Sequence, residues 1–505
     1  MYSYQICGVL WIIVGSILII TNILYKISYE MGLKSISLVE GTHVYKIWAS
    51  PITLSFACYF FNVTNPDEVM QGEHPRLVEY GPLTYDEIYE KQVIDVDEEM
   101  DEIKYTTKST YTFNKAKSID ISNREKVTIL NPAYIGTISM LSSLPPNYME
   151  KYGDHIPKLF PDRNSIFLKA RPTDILFGGV KISCNLKKFP ELDLVCKTMN
   201  ASPPIVLRKT EKEDTYLLSL FQRSNNTLRG PFTINRGFKV ITSLGNITSY
   251  QGEKIQSIWN SDVCNTVRGT DSVNWAPLIE PLPFVVSFVP EMCRAMEADY
   301  SEDVSILRMT GSRFVIKERV WFLNASECYC LLKDKNPRCL PQGLIDVTEC
   351  QKVPAILSEP HFLHGDPELL MYAHGLQPDE NLHATYITIE PLTGTPLFGT
   401  KKSQVNLELT KQPVKLLSNV SEGFFPIVWC ENVDFYRSVQ SFYFLKKIPL
   451  IVGIYIIIMT SLYCNCTRRK VKPTVTIAES VLISSNSGSN DPAQEFPQRG
   501  TRAFE

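Results

Sequence analysis

The segment ITLSFACYFFNV, Ile52 to Val63, alternates. Ile52, Leu54, Phe56, Cys58 and Phe60 fall on one face of an extended chain, which predicts a half-buried strand. The following NPDEVMQGEHPRLVEYGPLTY places turn residues at Asn65-Pro66 and Gly81-Pro82. A strand pair around the acidic DVDEEMDE comes next, read as a solvated hairpin tip. Leu130 to Phe160 lacks strand alternation and reads as helical pieces broken at Pro145-Pro146 and Pro157. Strand-like segments recur later, among them RFVIKERVWFL (313–323) and HATYITIEPL (383–392). The centre of the chain is therefore mainly β, with a helical insertion over residues 130–177.

The chain of 505 residues carries 44% apolar and 21% charged residues, a globular rather than disordered balance. Its net charge of −3 supplies no basic field for nucleic acid. Two stretches depart from the globular pattern. ICGVLWIIVGSILIITNILY (6–25) and IPLIVGIYIIIMTSLYC (448–464) contain no charge. A helix of about 20 apolar residues crosses the hydrocarbon layer. The first run is too long for a signal peptide and lacks a small-x-small cleavage site, so it reads as an uncleaved anchor. The segment KISYEMGLKSISLVEG after it reads as a short juxtamembrane helix.

Arg468, Arg469 and Lys470 follow the second span and favour a cytosolic C-terminus. Lys26 and Lys34 argue weakly the other way, but long domains translocate largely regardless of such charges. The organisation expected is a cytosolic N-terminus (1–5), a first span (6–25), an extracellular or lumenal ectodomain (26–447), a second span (448–466) and a disordered cytosolic tail (467–505). Asn-x-Ser/Thr acceptors at Asn62, Asn200, Asn225, Asn246, Asn324 and Asn419 all lie between the spans and agree with a glycosylated ectodomain. The location expected is the plasma membrane, with endosome or lysosome as the alternative.

Of the 13 cysteines, Cys7, Cys464 and Cys466 lie in or beside the spans. The others are Cys58, Cys184, Cys196, Cys264, Cys293, Cys328, Cys330, Cys339, Cys350 and Cys430, an even set in an oxidising space, which favours disulfides. A zinc site would prefer Cys-x2-4-Cys knuckles or nearby histidines, and here the close pair is Cys-x-Cys. Cys464 and Cys466 suit palmitoylation at the inner leaflet, with unmodified thiols the alternative.

No P-loop, Rossmann glycine pattern, nucleophile elbow or His-Glu-x-x-His occurs. His361, His364 and His374 lie close in sequence, but Gly365, Asp366 and Pro367 interrupt any single helix that would present them together. They read as structural or surface residues. No catalytic residue, metal or cofactor is expected.

Several motifs together resemble the class B scavenger receptor family: FFNVTNPDEV (60–69), YGPLTY (80–85), NTVRGTDSVNWAPLIE (265–280), the Cys-rich block 328–350, and PHFLHGDPELLMYAHGLQPDENLHATYITIEPLTGTPL (360–397). Within it the chain is most similar to the insect sensory neuron membrane proteins, through ISCNLKKFPELDLVC (182–196) and FQRSNNTLRG (221–230). The resemblance implies a large antiparallel β-barrel with an apical helical bundle and an internal apolar tunnel, flanked by two transmembrane helices. It implies disulfides Cys264–Cys328, Cys293–Cys350 and Cys330–Cys339, with Cys184–Cys196 a fourth. Cys58 and Cys430 depart from the family pattern and either pair with each other or remain buried thiols. Lys158 and Arg163 lie near the family's apical capture lysine without a clean motif match, and surface solvation is the alternative for both.

What the resemblance implies about function is a receptor, not an enzyme, that binds fatty-acid-derived, pheromone-like ligands and passes them through the tunnel. The partners implied are lipid-like molecules, an odorant receptor complex and lipid-carrier proteins. The alternatives are a general scavenger of lipoproteins, carotenoids or apoptotic cells, and a lysosomal cargo receptor. In ESVLI, Glu479 stands three residues before Leu482, so an acidic dileucine signal is not matched.

Overall fold

The strand predicted at Ile52–Val63 forms and becomes β1, but its burial differs from the half-buried pattern. Ala57, Cys58, Phe60, Phe61 and Val63 are all buried, so the last half of the strand is covered on both faces. Cys58, Phe60 and Val63 share a core with residues of the helical insertion. Further cover comes from residues 360–383, remote in sequence: Phe61 meets His361 edge-on at 5.0 Å.

The computed structural model describes residues 22–435, apart from 25, 28–29, 121–124, 213, 279–281, 307–308, 318–328 and 334–335. The expected first span (6–25), except residues 22–24, lies outside the described residues, as do the second span (448–466) and the tail (467–505). Asn324, Cys328, Cys464 and Cys466 lie outside them too. Among the described residues no helix is long and apolar enough to cross a membrane. Every described residue belongs to one unit, residues 1–441.

Ten more long strands join β1: β2 (Leu77–Asp97), β3 (Glu102–Phe113), β4 (Thr227–Asn235), β5 (Ile247–Tyr250), β6 (Phe284–Val289), β7 (Arg294–Ile306), β8 (Met309–Val315), β9 (Tyr386–Ile389), β10 (Pro396–Leu409) and β11 (Gly423–Phe435). Their order in the sheet is β5-β4-β3-β2-β1-β11-β10-β9-β8-β7-β6, with strands Ile345–Asp346 and Ile356–Ser358 attached beside β10. Consecutive strands are neighbours except β5 and β6, which are the two edges, and the first and last, β1 and β11, zip together. The segment Gly269–Thr270 draws the two edges together, and the Ile247 N–H of β5 donates to Gly269 O at 2.8 Å. Thr270 bridges Asn246, just before β5, and Ser287 of β6, and its N–H donates to Val286 O at 3.0 Å. The result is a nearly closed antiparallel wall, which leaves few exposed edges.

Gly81-Pro82 is not a turn, as the sequence suggested, but part of β2. Between the pairs Cys58↔Leu83 and Phe60↔Tyr80, two residues of β2 oppose the single residue Tyr59. A bulge accommodates proline because its extra residue needs no ladder donor. A Cβ on Gly81 would lie 2.8 Å from Cys58 O, so only glycine allows this approach.

The acidic DVDEEMDE does close a hairpin between β2 and β3, but Asp101 is buried rather than solvated. Its carboxylate accepts the Lys239 N–H at 2.7 Å and faces Arg236 Nε at 3.6 Å. The juxtamembrane helix ends at residue 35, and a second helix, His43–Ala49, precedes β1. The helical insertion contains helices Pro132–Ser142 and Pro146–Tyr152. Asn131 caps the first through its Oδ1, with proline at the first helical position. Pro157 lies inside a 3-10 helix, Gly153–Leu159, rather than breaking one. This layer buries Tyr134, Ile138 and Leu141 in the same core as Phe60, Phe61 and Val63, at the far end of β1 from the N-terminal helices.

Candidate functional site

Strand register decides which side chains face the inside of the wall. Leu54 pairs with Glu87, and Glu87 with Tyr111, so these share one face of β1, β2 and β3. Phe56 pairs with Asn432 of β11, which pairs with Lys401 of β10. Arg229 of β4 pairs with Thr107 of β3 on the same face. Arg229 and Lys401 are separated along the wall by β3, β2, β1 and β11. Yet both reach Glu291, at 2.9 Å and 2.9 Å, from the turn between β6 and β7. Such a bridge spans only the inside of a curved sheet, so this face is concave.

The concave face is layered. At the end nearer the N-terminal helices, Trp48, Tyr105, Phe232, Tyr250 and Phe288 form a chain of ring contacts. At the end nearer the helical insertion, Phe56, Tyr85, Tyr111, Phe177 and Phe221 form another. Between them runs a polar belt. Glu87 accepts from Ser109 Oγ at 2.5 Å, Tyr111 OH at 3.1 Å and Asn432 Nδ2 at 2.7 Å. Burial opposes the Glu291 charge, but Lys401 and Arg229 outweigh it and hold the carboxyl well below the usual carboxylate range. The interior face is therefore not purely apolar, as the resemblance led one to expect.

Two staples fix this wall. Cys58 and Cys430 are directly opposed on β1 and β11 and form a disulfide on the concave face, closing a sequence separation of 372. That answers the question the sequence left open. Cys293–Cys350 ties down the turn that carries Glu291, whose carbonyl also accepts from Gln351 Nε2 at 2.9 Å. Cys330–Cys339 closes a small hairpin, and Cys184–Cys196 closes a loop beside the insertion. Cys264 is disulfide-bonded.

Lys158 and Arg163 come together around a residue the sequence reading passed over. Phe189 sits in the Cys184–Cys196 loop, with Arg163 4.8 Å, Lys188 5.5 Å and Lys158 5.7 Å from its ring centroid. Lys158 also bonds Glu191, and that bond holds the Glu191 carboxyl below its ordinary range. The only advance signal was the KKFPEL sequence inside a cysteine-bounded loop.

His361, His364 and His383 are each held by partners within the fold. His361 Nδ1 accepts the Gln377 N–H at 3.1 Å, so Nε2 carries the proton and donates to Glu79 at 2.9 Å. His383 stacks on His361 at 4.4 Å, and burial, reinforced by His361, pushes it down to about 4. His364 lies between Glu359 at 2.6 Å and Glu380 at 3.0 Å, and the Glu359 bond raises it. Among the described residues no group of three or more His, Cys, Asp or Glu is placed to hold a metal ion.

Asn200, Asn246 and Asn419 are exposed. Asn62 and Asn225 are half-buried, because each side-chain oxygen accepts a backbone N–H, from Thr128 at 2.8 Å and Tyr111 at 3.0 Å.

A model of the CD36 family matches residues 6–467 of the chain. Sensory neuron membrane protein 2 of Heliothis virescens is 31% identical over 418 residues, covering 81% of this chain and 80% of that protein. Sensory neuron membrane protein 2 of Manduca sexta is 33% identical over 412 residues, 79% of each chain. Sensory neuron membrane protein 1 of Apis mellifera is 32% identical over 433 residues, 84% of this chain and 82% of that one.

Proposed function

The chain belongs to the CD36 family, and from that premise we propose that it takes up a lipid-like molecule outside the cell and passes it through the barrel interior towards the membrane. It is a membrane receptor of the scavenger-receptor kind. The ligands proposed are fatty-acid-derived, pheromone-like odorants, delivered to the bilayer or to an odorant receptor complex in a sensory neuron. The names of the relatives support the cell type.

The observation that carries the reading is the concave face: two aromatic layers on either side of a polar belt in which Glu87 is buried while the Arg229 and Lys401 side chains stay 34% and 50% exposed. Each buried CH₂ is worth about 0.8 kcal/mol, so a long alkyl chain gains on the order of 10 kcal/mol before ordering costs. No catalytic group is required for such transfer. The cations around Phe189 are the proposed first contact for ligand, and Asn200, Asn246 and Asn419 the proposed glycan carriers.

Native mass spectrometry of the full chain released from detergent, with and without added long-chain lipid, tests this. We expect adducts of one or more lipid masses that survive release. A chain that retains none of a panel of fatty acids, esters, alcohols and aldehydes contradicts the proposal.

A further inference from the structure

We propose that Arg229 and Lys401, bridged by Glu291, form a station inside the barrel that accepts the carboxylate head of a long-chain lipid. This rests on the conduit reading above and names the ligand chemistry that reading leaves open.

The argument is one of unused donors. Arg229 carries five N–H groups and Lys401 three. Each bonds Glu291, and among the described residues no other acceptor bonds them. Both side chains remain accessible on the concave face. The other carboxylate of the belt, Glu87, is satisfied differently: two hydroxyls and an amide bond it, so it draws no donor from Arg229 or Lys401. Within the triad, two cations face one anion. A second carboxylate entering there meets a guanidinium edge suited to two parallel hydrogen bonds. A neutral ester, alcohol or aldehyde offers no such charge.

The station is also rigid on its acidic side. The turn bearing Glu291 is held by the Cys293–Cys350 disulfide and by Gln351. Arg229 and Lys401 rise from strands of the wall. An arriving carboxylate therefore competes with a fixed Glu291 for its cations, and the alkyl chain lies along the adjoining aromatic layers.

The test compares oleate with methyl oleate on the full chain in detergent at neutral pH, by displacement of a fluorescent fatty-acid probe. The wild-type chain is expected to bind oleate about tenfold tighter than the ester, the scale of one charge-assisted hydrogen bond. Arg229→Gln and Lys401→Gln should each remove most of that preference, weakening oleate far more than the ester. Glu291→Gln should strengthen oleate binding, since the competing carboxylate is gone. Equal affinities for acid and ester in the wild type, or a preference untouched by all three variants, overturns the station while leaving the conduit standing. Loss of ester binding in Arg229→Gln assigns the residue to the frame of the wall and also overturns it. A wild-type chain that binds neither probe overturns both proposals.

Discussion

Replacing Cys58 and Cys430 together by alanine should lower the unfolding free energy by about 3–4 kcal/mol. The bond joins the first and last strands of the wall at directly opposed positions. Its sequence separation of 372 is the longest of the disulfides described, so its removal frees the largest loop in the unfolded chain. Both residues are buried, and the double variant also leaves a void where two sulfurs packed. The β1–β11 ladder remains, so the fold should persist with a weakened seam. Denaturation of the full chain in detergent without reductant, followed by tryptophan fluorescence, reads the effect. An unchanged midpoint contradicts the structural role assigned to this staple.

Gly394→Ala should cost more, about 3–5 kcal/mol, and reduce the yield of folded chain. Gly394 lies in the turn between β9 and β10 at a φ of +69°. Its carbonyl accepts the Trp275 N–H at 2.9 Å. A Cβ there would stand 1.9 Å from Trp275 O and 2.8 Å from Ala276 O, both rigid backbone atoms. The strain of a left-handed residue thus adds to a clash that no rotamer relieves. Gly252→Ala separates the two effects. It shares a positive φ of +85° but meets nothing within 4 Å, and should cost about 1 kcal/mol. Equal losses at the two sites would show that conformation alone, not close approach, decides the Gly394 effect.

Those contacts also show what the sequence made legible. Trp275 and Gly394 belong to two separate motifs that carried the family resemblance, and the structure joins them through one backbone contact. The alternation in Ile52–Val63 was readable because strand sterics act locally. The second covered face at Ala57, Phe61 and Val63 was not, because its cover is residues 360–383. The Gly81-Pro82 bulge read as a turn because glycine and proline announce a backbone irregularity without saying which one. The polar belt escaped notice for the same reason. Glu87, Arg229, Glu291 and Lys401 lie in four unrelated segments that only barrel closure brings together. A faint trace was present in β2, where Tyr85, Glu87, Tyr89 and Lys91 alternate aromatic and charged residues on one face. Paired disulfides were legible as a class, yet Cys58 and Cys430 needed the register of β1 against β11 to be matched.

The account stands or falls on where a lipid sits. The most direct measurement is photo-crosslinking of the full chain with a long-chain fatty acid carrying a diazirine on its alkyl chain, followed by peptide mapping. The label should appear on concave-face residues, with Phe56, Tyr111, Phe177 and Phe221 foremost, and unlabelled oleate should compete it away. Label confined to outward-facing positions such as the exposed Ile88, with Phe56 and Tyr111 bare, would contradict passage through the barrel.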